Sequence, residues 1–407
     1  MGEFYAQHKD IISLIMMPFT YGFVGWFTNW VALKMTFYPI KFIGIPPFLG
    51  WQGIIPRKAH KMASKSVDVI TTRLLKIEEV FDKVEPEGIE SELKPVVVQL
   101  IKETTEEVVN EINPNLWSIL PEKVKNEIYA KAEDQISQGF QNIIANIRDN
   151  IYKVFDIKGL VLRSLTGKNV VLIVEMFQTV GAPEFKFIER SGLYFGFLLG
   201  LVQMVVWTFF PIWWTLPIQG VIVGYLTNWL ALNMIFRPLY EKKYLGIKYQ
   251  GLFLKRQGPV SKEYSRLVAT RILNARNILE EIFYGKAADE VYSIIQNAAI
   301  KSVENTATSA QPIISLTIGA SKYQSIKHKI VERMMEIAPK SIEKIEEYVG
   351  VAMDLEETMY NKMRKLDPAE FENVLRSAFQ EDELLLILIG AALGALVGLG
   401  QALTMIL

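Results

Sequence analysis

The sequence predicts an all-α membrane protein, with four transmembrane helices in two parallel repeats and large cytoplasmic segments of amphipathic helix. Three observations predict it. The 407 residues include 44 basic and 44 acidic side chains, yet residues 11–33, 191–236 and 384–407 contain none of them. A motif around Thr28-Asn29-Trp30 returns as Thr227-Asn228-Trp229. Outside the charge-free runs, apolar residues recur at spacings of three and four, as in Val67, Ile70, Leu74 and Leu75, and again in Ile143, Ile144, Ile147, Ile151, Val154 and Phe155.

A hydrocarbon core about 30 Å thick needs roughly 20 apolar residues in a helix, because only a helix satisfies its own backbone there. After a tail of residues 1–10, residues 11–36 supply the first span, with Lys34 near enough to its end to snorkel to the surface. Glu3, Asp10 and the length of the apolar part favour a retained span over a cleaved signal peptide. The run 191–236 is too long for one crossing. It carries Pro211 and Pro217 near its middle, with Trp207, Trp213 and Trp214 around them; proline stops helices and tryptophan favours the interface. It therefore reads as spans 191–212 and 217–237 joined by a turn in the headgroup layer. The fourth span, 384–406, follows Glu381, Asp382 and Glu383, whose charges suit a helix N-terminus. Basic residues gather after the first span (Lys41, Arg57, Lys58, Lys61, Lys65) and after the third (Arg237, Lys242, Lys243, Lys248, Lys255, Arg256). By the positive-inside rule, segments 40–190 and 240–383 are cytoplasmic.

The duplication extends well beyond one motif, at a period of 198 to 199 residues. Pro18 and Gly25 recur as Pro217 and Gly224, Gln52-Gly53 as Gln250-Gly251, and Thr72-Arg73 as Thr270-Arg271. Gly192, Gly196, Gly200 and Gln203 recur as Gly390, Gly394, Gly398 and Gln401. Repeat 1 is 11–213 and repeat 2 is 214–407. Each reads span, cytoplasmic segment, span, so both enter the membrane in the same direction, about an axis along its normal. Pro86, Pro95, Pro114 and Pro121 punctuate the first cytoplasmic segment, and Pro312, Pro339 and Pro368 the second. Val170–Val174 reads either as a short strand or as a buried turn of helix.

Candidate functional residues fall in three groups. Asn29, Asn228, Gln203 and Gln401 are amides within spans; they are expected to pair with one another across the repeat axis, or else to form a polar site for a headgroup or small solute. Gly192, Gly196, Gly200 and Gly390, Gly394, Gly398 are small residues at every fourth position, which let helices dock closely, between repeats or between two chains. Arg57, Lys58, Lys255 and Arg256 stand at the cytoplasmic surface. They either anchor the chain on anionic lipid or recognise a phosphate headgroup, and the repeated Gln-Gly before each pair favours something more specific than charge.

Thr28-Asn29, Ala32, Lys34-Met35, Phe37 and Pro39, followed by Gly53 and Ile55-Pro56-Arg57-Lys58, resemble the signature of the uncharacterised YheB-like family of bacterial multi-pass membrane proteins. The resemblance covers nearly the whole chain and brings no catalytic residue or cofactor. It implies a bacterial inner (plasma) membrane location, or a thylakoid membrane in a photosynthetic source. The second copy departs from the pattern, with Asn233 at the place of Lys34 and Leu254 at the place of Pro56.

The absence of cysteine excludes disulfide scaffolds and thiol catalysis, and a net charge of zero removes any global case for nucleic-acid binding. His8, His60 and His328 share no metal-ligand spacing, and the chain has no GxSxG, HExxH or Walker-type loop. No enzyme and no cofactor are expected. The sequence favours a membrane-organising or lipid-interacting scaffold, with membrane lipids, anionic ones above all, as partners and homo-oligomers through the glycine ladders. A transporter or channel with its site at the repeat interface is the alternative.

Overall fold

The computed structural model describes residues 2–45, 49–112, 118, 121–244, 246–308, 320–376 and 383–406. Pro114, Pro312, Glu381 and Asp382 lie outside them. Among the described residues the chain is all-α apart from two hairpins of three-residue strands. In chain order the elements used below are α1 (Gly2–Phe37), β1 (Ile43–Ile45), β2 (Leu49–Trp51), α2 (Ala59–Val69), α3 (Pro86–Ile112), α4 (Glu122–Asp149), α5 (Val170–Val180), α6 (Ala182–Phe209), α7 (Thr215–Phe236), β3 (Lys242–Tyr244), β4 (Ile247–Tyr249), α8 (Gln257–Leu267), α9 (Ala288–Thr308), α10 (Ala320–Ile337), α11 (Pro368–Arg376) and α12 (Glu383–Ile406).

Among the described residues four helices are long and apolar enough to cross a membrane: Ile11–Phe37, Ala182–Phe209, Thr215–Phe236 and Glu383–Leu403. Their ends follow from proline chemistry. A residue preceding proline is pushed out of the helical region, so α1 stops before Tyr38-Pro39, α6 before Pro211 and α7 before Arg237-Pro238. Pro217 sits in the first turn of α7, where its missing N–H has no intrahelical partner to lose. The second span departs from the expected 191–212: α6 begins at Ala182, with Pro183 in its first turn, and so carries Glu184, Lys186, Glu189 and Arg190 ahead of the apolar run.

Two compact units are present, and each takes corresponding segments from both halves of the chain. The first comprises Met1–Ile70, Leu162–Leu267 and Tyr360–Leu407. In it α1 lies along α6 and α7 along α12, and α1 meets α7 between the two pairs. Met17, Tyr21, Val24, Leu216 and Val223 fill that centre and are excluded from solvent. The Tyr21 hydroxyl, which needs a partner when buried, donates to the Leu216 carbonyl at 3.2 Å. Val170–Val180 is helix: Ile173, Val174, Met176 and Val180 are buried at helical spacing, and α5 packs on α2 and α8.

The second unit, Thr71–Val161 with Val268–Met359, is a four-helix bundle. Antiparallel neighbours α3 and α4 come from the first half and α9 and α10 from the second, while α4 packs on α9 and α3 on α10 across the halves. Ile89, Leu93, Ile136, Ile147, Val291, Ile295, Ala299 and Val331 are buried there. Ion pairs tie its flanks, Lys94 to Glu90 and Glu133, and Glu107 to Lys329 and Arg333.

Sequence periodicity hid two features. Hairpins β1–β2 and β3–β4 follow α1 and α7 at corresponding places, and three-residue strands offer no alternation to detect. Thr72-Arg73 and Thr270-Arg271 each sit in a single π-helical turn, Ile70–Leu74 and Val268–Ile272.

Candidate functional site

The intramembrane amides and the glycine ladders, separate in the sequence, form one device. Gly192 follows Ile188 by four residues, so the Ile188 carbonyl is the one its N–H caps in the helix. With no Cβ at Gly192 the facing helix closes in, and Asn29 Nδ2 reaches that same carbonyl at 2.6 Å as a further donor, beside the Ser191 hydroxyl at 2.9 Å. The other half repeats the arrangement. Gly390 follows Leu386 by four, and Asn228 Nδ2 donates to the Leu386 carbonyl at 3.0 Å. Both asparagines are buried, as are Thr28 and Thr227, whose hydroxyls turn back onto the carbonyls of Gly25 and Val223.

This corrects the expected pairing of the amides with one another. Each asparagine donates within its own half, to a backbone carbonyl on the helix that the glycines bring close. Gln203, also buried, donates to Thr215 Oγ1 at 3.5 Å. Gln401 is half-buried and engaged, and joins neither asparagine by a hydrogen bond among the described residues. Asn29 Oδ1 is buried and accepts no hydrogen bond among the described residues.

The ladders bring backbones into contact. A methyl group on Gly25 would strike the Gly192 carbonyl, one on Gly196 the Tyr21 carbonyl and one on Gly200 the Cα of Pro18. In the second pair, Gly220 faces Gly394, Gly224 faces Gly390 and Gly398 faces Leu216 and Pro217. All six ladder glycines are thus used within the chain, α1 against α6 and α7 against α12.

The repeated Gln-Gly has a structural role. Gln52 Nε2 donates to the Ile40 carbonyl at 2.9 Å and Gln250 Nε2 to the Leu239 carbonyl at 2.8 Å. The N–H groups of Gly53 and Gly251 donate to the carbonyls of Pro39 and Pro238. Each loop is thereby closed onto the end of its span. Of the basic residues beyond, Arg57 is exposed and lies over the Trp51 ring, 5.9 Å from its centroid. Lys58 is half-buried and Lys255 exposed. Arg256 is committed inward: its Nη1 donates to Glu184 Oε1 at 2.6 Å, and Glu184 is 3% exposed. A second internal clamp escaped sequence reasoning. Arg376 lies between Glu372, at 2.7 Å, and Glu383, at 2.8 Å, which with burial outweighed holds its pKa above the ordinary arginine value. It joins α11 to the foot of α12. Only the four-residue spacing of Glu372 and Arg376 hinted at it.

Among the described residues no group of three His, Asp or Glu side chains converges to hold a metal ion. His60 and His328 are exposed, and the side chain of His8 lies outside the described residues. Tyr264 in α8 is buried, which pushes its hydroxyl up to about 12 against an opposing hydrogen bond with Ser66.

The chain is similar along nearly its whole length to a UPF0754 membrane protein of Microcystis aeruginosa, at 20% identity over 430 residues, covering 96% of this chain and 97% of the relative. This is an integral membrane protein, related to an uncharacterised cyanobacterial family. A UPF0754 membrane protein of Picosynechococcus is 36% identical over 72 residues, covering 16% of this chain and 18% of that one. No family profile and no solved structure matches.

Proposed function

We propose that the protein is a non-catalytic scaffold that organises the membrane or holds lipid at its surface, working without a cofactor. It is built from two parallel repeats of the YheB-like kind, with segments 40–190 and 240–383 on the cytoplasmic side of a bacterial inner membrane, or of a thylakoid in a photosynthetic host. Its partners are membrane lipids, anionic ones above all, gathered by Arg57, Lys58 and Lys255. A second copy is a further partner, through surfaces other than the internally occupied glycine ladders.

What carries the scaffold reading over a transporter is the packing where the halves meet. Met17, Tyr21, Val24, Leu216 and Val223 leave an apolar, solvent-excluded centre, the Asn29 and Asn228 amides are spent on backbone carbonyls, and the spans hold no charged residue at mid-depth to couple an ion. Basic residues at a membrane surface gain about 1 kcal/mol each from anionic lipid, so three exposed or half-exposed cations suffice to enrich it.

The test is lipid retained through purification in a mild detergent, counted by mass spectrometry. The wild type is expected to carry anionic phospholipid in stoichiometric amount, and Arg57→Gln with Lys58→Gln and Lys255→Gln to lose most of it. Retention unchanged by the triple substitution would overturn lipid recognition. Solute or ion flux across protein-containing vesicles, above that of empty ones, would favour the transporter and point to the unpartnered Asn29 Oδ1 as its polar contact.

A further inference from the structure

The two hairpins occupy corresponding places but differ in chemistry. Residues 42–51, after α1, contain no charged side chain, whereas β3 and β4 carry Lys242, Lys243 and Lys248. In the first hairpin Ile43 pairs with Trp51 and Ile45 with Leu49. Alternate residues of a strand share a face and directly paired residues lie side by side, so Ile43, Ile45, Leu49 and Trp51 form one apolar face, with Gly44 and Gly50 behind it. Three of the four are open: Ile43 is 67%, Ile45 72% and Leu49 73% exposed, while the Phe42 ring lies on the reverse face, against Gly50. A rim of large apolar residues with no polar atom among them marks an interaction surface.

The fourth residue fixes where that surface lies. Trp51 packs with Ala32, Ile54 and Leu386, beside Leu385. Ala32 belongs to the charge-free run of α1, and Leu386 stands in the first turn of α12. The strands are therefore folded back against the ends of two spans, level with residues that lie in lipid. The exposed Trp30 of α1 and Tyr38 just beyond its end lead on to Ile43, so the lipid-facing belt of the span continues onto the hairpin.

We propose that β1–β2 is an interfacial anchor, whose Ile43, Ile45 and Leu49 side chains insert at the boundary between headgroups and acyl chains, in the leaflet where α1 ends. That depth suits its backbone. The outward edge of a two-stranded sheet carries unpaired N–H and C=O groups that hydrocarbon cannot satisfy and the hydrated interface can. The corresponding β3–β4 hairpin, with its lysines, stays in the aqueous headgroup layer.

The proposal deepens the lipid-interacting reading and rests on it for its partner, the bilayer, but its test is independent of anionic recognition. The chain has no cysteine, so Ile45→Cys and Leu49→Cys, each made alone, accept a single environment-sensitive fluorophore. The labelled full chain is reconstituted in phosphatidylcholine vesicles, where Arg57 and Lys58 have no anionic lipid to recognise. Phe23→Cys on the exposed face of α1 serves as the lipid control and the exposed Tyr152→Cys as the aqueous one. At both hairpin positions the emission is expected to shift to the blue, to be quenched by phosphatidylcholine spin-labelled near the headgroup, and to lose several-fold in iodide quenching relative to Tyr152→Cys. Iodide quenching equal to that control, without lipid quenching, overturns the anchor. Protection from both quenchers overturns it as well, since the face would then be covered by protein.

Discussion

Gly192 and Asn29 illustrate how little freedom single residues have in this protein. The glycine gives up a side chain so that an amide on another helix can share a helical carbonyl, and neither residue is replaceable without disturbing the other. Asn29→Ala removes one interhelical hydrogen bond, a class averaging about 0.6 kcal/mol and reaching about 1.7 in membranes. A modest fall in the denaturation midpoint in detergent is expected, with the same for Asn228→Ala. Gly192→Val forces a branched side chain against the Gly25 backbone and is expected to cost more, at least the ~1–3 kcal/mol of ordinary overpacking; a midpoint equal to wild type would show that α1 and α6 do not touch. Arg376→Met leaves Glu383 unpaired at the foot of α12 and Glu372 with Arg237, at 3.4 Å, and should destabilise by less than the ~3–5 kcal/mol of a fully buried pair, while Arg376→Lys recovers part of the loss because it keeps the charge without the fork.

Among elements, the four-helix bundle yields the sharpest expectations. A Cβ on Gly139 would lie 3.2 Å from Ser302 Oγ, so the β-carbons of a Gly139→Cys, Ser302→Cys pair come near the ~3.5–4.5 Å that a disulfide spans. Oxidation of this variant should link α4 to α9, and proteolysis between the halves should then leave them joined on a non-reducing gel. Failure to cross-link would dissolve the bundle. The α3–α10 contact should also respond to pH. The hydrogen bond from Lys329 holds the Glu107 carboxyl below its ordinary value, helped by its charge and by Arg333. A carboxylate depressed in the folded state contributes above its unfolded pKa and loses that contribution as pH falls through the folded one. Protection factors along α3, taken against intrinsic exchange, should therefore fall under acid conditions, and Lys329→Gln should weaken the response, leaving the part due to Arg333.

The elements also explain which parts were legible. The spans could be read to within a few residues, except at the start of α6, because hydrocarbon dictates both their length and the absence of charge. The glycine and asparagine positions were legible too, but not their union, since Asn29 and Ile188 meet only once α1 and α6 pack. Arg256 read as a surface cation because its partner, Glu184, comes from the other half of the chain. Hairpins of three-residue strands and single π turns leave no period long enough to register.

For the whole molecule, the proposed parallel arrangement of the repeats makes a topological claim that a cysteine-free chain can test cleanly. Single cysteines replacing the exposed Tyr152 and Tyr284 should react with an impermeant maleimide only after cells are opened, and one replacing Trp213, in the turn between α6 and α7, should react from outside intact cells. Tyr152→Cys and Tyr284→Cys on opposite sides would refute both the orientation and the repeat relation. The backbone contact at the ladders carries a last consequence, for divergence. Where a glycine faces a carbonyl with no room for a methyl group, mutational drift is barred, while the lipid-exposed flank of the same helix accepts any oily residue. Lineages at 20% identity should thus agree on a skeleton of every-fourth-residue glycines and two asparagines long after other positions have wandered, and a search keyed to that register, not to overall resemblance, is the one to gather the remoter kin.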